Sequence, residues 1–172
     1  MAAQQATAGN LSEVMELLTR DGVAVRRAVD PHCLRFESMF GPEAPMFVRW
    51  VSGERLVQVA QNTLLQITQE SRLAEVALQL LSINQRLDTL GFVLDSGPGP
   101  AHGAIAFRSH LFTDSAGRLD YALLRTLLMF CIKTVERTLP ALQAIVGGAP
   151  IPPPPPSPEA ARLADALRGF ID

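Results

Sequence analysis

Surplus charge of either sign is the first thing this chain lacks, with 15 Lys and Arg against 17 Asp and Glu and a formal net charge of −2 in 172 residues. Nucleic-acid binders concentrate basic residues on one face and draw polyanions from a distance. Here the basic residues are scattered along the sequence, so direct contact with nucleic acid is not expected. Cysteine is scarce too: Cys33 and Cys131 stand far apart in apolar-rich segments without CxxC spacing, which reads as two small buried hydrophobes in a reducing compartment. Long apolar runs are missing. The greasiest, 127–132, is cut short by Lys133, and the first ten residues, MAAQQATAGN, hold neither a basic n-region nor an apolar h-region, so no membrane span is expected and the protein is read as cytoplasmic.

Chemical signatures are equally thin. The segment 97–103, GPGPAHG, has the glycines of a phosphate-binding loop. Such loops bind through backbone N–H groups, which Pro98 and Pro100 do not have, so it reads as a hairpin connection. His32, His102 and His110 show no HExxH or paired-ligand spacing. Ser, His and Asp occur without a nucleophile elbow. No catalytic residue, cofactor or metal site is expected, and the chain is read as a non-enzyme.

What is present is a chain 48% hydrophobic, enough for the core of one domain. Residues 1–9 are small and polar and read as a disordered lead-in. A helix begins at Asn10, which can cap it while Glu13 reaches back, with Leu11, Val14, Leu17 and Leu18 on one face and Gly22 as its stop. Over 23–65 the period falls to two, punctuated by Asp30-Pro31, Gly41-Pro42 and Ser52-Gly53, which predicts four antiparallel strands. Leu34 and Phe36 share one face, Met46, Val48 and Trp50 another, and Val57 and Val59 continue the alternation; these are the expected core residues. On the opposite sheet face Met39, Phe47, Val51 and Leu56 stand among Arg35, Glu37, Arg49 and Gln58, a mixture suited to a surface that is sometimes covered, and these four apolar residues are the candidate partner-binding set.

A second helix is predicted from an N-cap at Thr68 to about Thr89, its stripe built from Leu73, Val76, Ala77, Leu80 and Leu87 and widened by Leu78, Leu81 and Ile83. Asn84 lies within that stripe, where an amide most readily ties a neighbouring backbone group. Strands over 92–94 and 104–112 form a second hairpin. A third helix starts at Asp120 and is apolar on more than one side, which makes Leu123, Leu127 and Phe130 a candidate homodimer interface. Residues 147–156 form a Gly/Pro-rich linker that extends as polyproline II. Beyond it, 157–172 form a short amphipathic helix whose Leu163, Leu167, Phe170 and Ile171 could dock on the domain or on a neighbouring subunit.

The segment 80–111 carries a resemblance. Its Leu/Ile/Asn run, the Gly91-Phe92 strand start, the Asp95 turn and Gly103-x-x-x-Phe107-Arg108 resemble the YbjN-like family of bacterial proteins, over roughly 11–146. The resemblance implies an α+β fold similar to type III secretion chaperones; the elements read above give an antiparallel sheet with packed helices in the order α-β-β-β-β-α-β-β-α over 10–146 as one domain, plus the tethered C-terminal helix. The resemblance also implies a protein-binding, chaperone-like or regulatory role, holding a segment of a partner of unknown identity by strand addition or in an apolar groove. The rival is a small-molecule sensor or enzyme using a cavity between sheet and helices, which would require a deep polar pocket with a perturbed ionisable group.

Overall fold

The structure is a computed structural model and describes residues 6–36, 45–51, 55–85, 87, 90–96 and 101–148. In chain order its elements are β1 (Thr7–Ala8), α1 (Leu11–Arg20), β2 (Val25–Arg27), β3 (Cys33–Phe36), β4 (Met46–Val51), β5 (Leu56–Ile67), a single 3-10 turn (Glu70–Arg72), α2 (Leu73–Asn84), β6 (Leu90–Asp95), β7 (Gly103–Phe112), β8 (Leu119–Asp120) and α3 (Tyr121–Val146). The main elements follow the expected order, and the two shortest strands are additions to it.

Six strands form one antiparallel sheet in the spatial order β2-β3-β4-β5-β7-β6. Within this sheet β5 and β7 are paired across α2 and β6, whereas β4–β5 and β6–β7 join chain neighbours. The register places Leu34 opposite Val48 and Phe36 opposite Met46, so the two groups assigned to separate faces share one. That face is the core: Leu34, Phe36, Met46, Val48, Val57 and Val59 are all buried on it, and Trp50 is half-buried beside them. Phe92 meets Phe107 edge-on there, with ring centroids 4.8 Å apart, a geometry that sets the positive rim of one ring against the negative face of the other.

The helices close this face. α1 starts as expected, with Asn10 Oδ1 accepting the N–H groups of Ser12 at 2.9 Å and Glu13 at 3.0 Å while the Glu13 carboxylate accepts from Gly9 N–H at 2.8 Å. It stops in a Schellman turn: Val23 N–H donates to Leu18 O, Gly22 N–H donates to Thr19 O, and Gly22 adopts φ +79°, where a Cβ would be strained. Leu11, Val14 and Leu18 are its buried residues. In α3, Asp120 caps the N-terminus by accepting from Ala122 and Leu123 N–H, and Leu124, Leu128, Cys131, Val135, Leu142 and Ile145 turn inward. Cys33 and Cys131 are both buried and free.

Three expectations are corrected. The lead-in does not extend to residue 9, because Thr7 and Ala8 pair with Asp120 and Leu119 and Ala8 is fully buried; two residues are too few to display a period. The second helix starts at Leu73 rather than after Thr68, since β5 runs on to the buried Ile67 and a 3-10 turn intervenes, with Arg72 donating to Ile145 O at 2.7 Å and pairing with Glu75. It stops at Asn84, where Leu87 N–H turns back to the Asn84 carbonyl at 2.9 Å. Finally, Leu78 and Leu81 do not widen the buried stripe but stand exposed. The linker beyond Gly148 and the predicted helix over 157–172 lie outside the described residues.

Candidate functional site

Among the described residues, α1, α2 and α3 each contact the sheet or its edges, and the core residues occupy its inner face. Alternation along each strand therefore dictates what reaches the opposite, open face. Register partners line up there in rungs. One rung runs across five strands through Arg26, Arg35, Phe47, Ala60 and Arg108. The next holds Cys33, Arg49, Gln58 and His110, with Gln58 and His110 side chains 2.9 Å apart. A third sets Val51 and Leu56 beside the exposed Phe112.

The first rung, with Cys33, Arg49 and Gln58 of the second, lines a groove of about 690 Å³ that the Ala28–Asp30 turn also borders. Its lining includes five arginines, Arg26, Arg27, Arg35, Arg49 and Arg108, and one carboxylate, Asp30. The His32 backbone N–H, donating to Asp30 Oδ1 at 2.9 Å, holds the Asp30 carboxyl below the ordinary carboxylate range, with the Cys33 thiol and Arg49 assisting. Arg49 Nε lies 3.7 Å from Asp30 Oδ2. Arg108 pairs with Asp95 at the far side of the sheet. Burial, reinforced by the neighbouring Asp30, pushes the Cys33 thiol up to about 11. A thiol so raised is a poor nucleophile, whereas guanidinium forks are strong donors to planar anions. Arg27 turns its guanidinium to Pro31 O and Ser12 Oγ, and Arg49 and Arg108 are paired, so the groove sets partnered guanidiniums around an apolar centre at Phe47 and Ala60.

Of the candidate partner-binding residues, the structure brings Phe47, Val51 and Leu56 to the open face, Phe47 inside the groove and the other two on the rung beside it. Met39 lies outside the described residues. The expected open face holds Arg35, Arg49 and Gln58 but not Arg26 and Arg108, and the picture of scattered basic residues is corrected: strand pairing gathers arginines from β2, β3, β4 and β7. The available signal was alternation in β2 and β7, where Arg26 and Arg108 occupy outward positions.

A second uncovered surface lies along α3. Leu123 and Phe130 are about half exposed, as is Met129, while Leu127 packs partly against the core. Ala122, Arg125, Thr126, Met129, Phe130 and Lys133 line a shallow groove of about 500 Å³. Both grooves face outward; neither lies between sheet and helices. The tail residues Leu163, Leu167, Phe170 and Ile171 lie outside the described residues. Among the described residues no group of three His, Cys, Asp or Glu side chains is placed to hold a metal ion, and no helix is long and apolar enough to cross a membrane.

No family model matches the chain, and no curated protein matches it in sequence. Among solved structures it is similar to the crystal structure of YbjN from E. coli, described as a candidate transcription regulator, at 12% identity with a TM-score of 0.63, covering 86% of this chain and all of that one. The fold is YbjN-like.

Proposed function

We propose that the protein is a non-enzymatic, chaperone-like or regulatory module that holds a segment of a partner protein on the open face of its six-stranded sheet. One observation carries this reading. The inner face is filled by the core, whereas the outer face keeps a groove with a half-buried phenylalanine, Phe47, at its centre. A sheet face that served only as a solvated exterior would have no need of a concavity with an aromatic floor. The regulatory description of the structurally similar E. coli protein is consistent with a role exercised through capture of another protein. On this reading the chain acts in the cytoplasm, where both thiols stay reduced, and it contacts neither nucleic acid nor membrane directly.

The same reading includes pairing of two copies through α3, since Leu123 and Phe130 stand about half exposed on that helix with Leu127, partly packed against the core, between them. Partner capture is tested by replacing Phe47 with the photo-reactive p-benzoylphenylalanine and irradiating living cells, with Leu78 on α2 as the exposed control position. Adducts at position 47 that map to one contiguous segment of a discrete protein are expected. Adducts no different from those at position 78 overturn the proposal.

A further inference from the structure

We infer that the shallow groove along α3 is the seat of residues 157–172 of the same chain, received as a helix antiparallel to α3. The groove has an apolar centre, with Met129 and Phe130 each about half exposed, between Lys133 at one end and Arg125 at the other. Arg125 already pairs with Asp21 at 3.2 Å. Lys133 has no ion pair among the described residues, and the described lining of the groove holds no carboxylate.

The sequence that follows α3 is a spacer of matching length. From Val146 back to Lys133 the helix measures roughly 20 Å at ~1.5 Å per residue. Residues 149–156 read APIPPPPP, and consecutive prolines extend as polyproline II at ~3.1 Å each, about 25 Å for the whole spacer. Gly148 ends the helix at φ +86°, a left-handed conformation that takes the chain off the helix path. A stiff spacer running back along α3 delivers Ser157 beside Lys133, whereas a Gly/Ser-rich one of the same length would have a shorter mean reach.

The segment so delivered has the complementary pattern. With Glu159 beside Lys133, an antiparallel helix sets Leu163 over Met129, Leu167 beside Thr126 and Arg125, and Phe170 over Ala122, whose methyl group leaves room for a ring. A helix of this length with Gly169 inside it is marginal on its own, so the groove supplies what its local sequence does not. A second copy fits the groove less well. Two such grooves face to face set Arg125 against Arg125 in a parallel pair, or against Lys133 in an antiparallel pair centred on Met129, and like charges across an interface are unfavourable. Phe130 also belongs to the surface proposed for pairing, so the seated segment and a second copy exclude one another there, and pairing through α3 requires its release.

The test uses the purified full chain with p-benzoylphenylalanine in place of Met129, a half-exposed position outside the core, irradiated at low micromolar concentration and mapped by mass spectrometry. Adducts of single-chain mass that join position 129 to residues 157–172 are expected. Leu163→Asp with Leu167→Asp should reduce them about fivefold or more, as loss of the central apolar anchors would. Lys133→Glu should reduce them about threefold, and adding Glu159→Lys to that chain should restore them. Adducts of double mass that join position 129 to α3 of a second copy overturn the inference in favour of pairing through this groove. Adducts of double mass that reach residues 157–172 overturn docking within one copy. Absence of adducts to 157–172, or adducts indifferent to the two leucine changes, overturns it outright. Capture of a partner segment at Phe47 is decided separately, by the adducts at position 47.

Discussion

The Asn84 side chain takes the place of a neighbouring strand for Phe92: its Nδ2 donates to Phe92 O at 2.7 Å, and Phe92 N–H donates to its Oδ1 at 2.8 Å. The last residue of α2 is thereby fastened to β6, the strand at one edge of the sheet. Both backbone groups of Phe92 that point away from β7 are occupied, so β6 cannot accept an added strand at that position. The other edge of the sheet, β2, is three residues long. Groove binding on the open face is the mode this geometry favours.

Asn84→Ala removes both hydrogen bonds and strands the two part-buried groups of Phe92. A loss of about 1–3 kcal/mol is expected from urea titration, together with faster amide exchange at Phe92 than at Phe107. Asn84→Asp should be at least as damaging, because a carboxylate faces the Phe92 carbonyl lone pairs without a proton to donate. A variant with wild-type stability would show that α2 and β6 are held by packing alone.

Gly103 opens β7 where a Cβ would lie 2.7 Å from Leu73 Cδ2 and 3.2 Å from Leu94 Cδ1. Gly103→Ala must therefore displace the first side chain of α2 or the end of β6. A cost of about 1–3 kcal/mol is expected in thermal or chemical unfolding. Restoring space with Leu73→Ala in the same chain should recover part of the loss relative to the sum of the single changes.

Burial pushes the Cys131 thiol from 9.0 up to about 12. The folded chain keeps that proton after the unfolded chain has released it. The associated stability is therefore complete below pH ~9 and declines as pH rises toward 12, by up to about 1.4 kcal/mol per pH unit. Tyr121, raised to about 12 by burial and by its hydrogen bond to Asp21, acts in the same direction above pH ~10. Cys131→Ala should lower stability near neutral pH through lost packing yet flatten its decline between pH 9 and 11. A decline of unchanged slope would move the effect to another group.

Phe130→Asp places a charge on the exposed stripe of α3. In a homodimer joined by that stripe it should shift the mass measured by light scattering at micromolar concentration toward the monomer, because an unpaired charge would be desolvated on pairing. The monomer's own unfolding should change by less than about 1 kcal/mol, since Phe130 is half exposed. A wild-type chain that scatters as a monomer overturns the pairing proposal.

Local signals in the sequence are the ones the structure matches best. Asn10, Gly22 and Asp120 mark helix ends through backbone needs that are local, and alternation in β4 and β5 places Val48 and Val57 inward and Phe47, Val51 and Leu56 outward. Asn84 is legible as a tie because an amide in an apolar stripe must find a partner. The arginine groove is not legible in the same way: Arg26, Arg35, Arg49 and Arg108 become neighbours only through the order β2-β3-β4-β5-β7, and strand order depends on long-range pairing that no local period encodes. Thr68 misleads because a good capping residue says nothing of whether the preceding strand has ended. Leu78 and Leu81 mislead because a helix rich in leucine on all sides does not declare which side the sheet will take.

The pairing of β5 with β7 also bears on how fast the chain can assemble. The β4–β5 and β6–β7 hairpins close over short loops, but their union must wait until the whole of α2 has been brought round, and the inner face of β5 has no partner on that flank until then. Loop closure must come before the contacts that reward it, which places such a topology toward the slower, millisecond-to-second end of single-domain folding. In that interval the apolar faces of two half-sheets are open to water, and the nascent chain is itself the kind of client that a chaperone would bind.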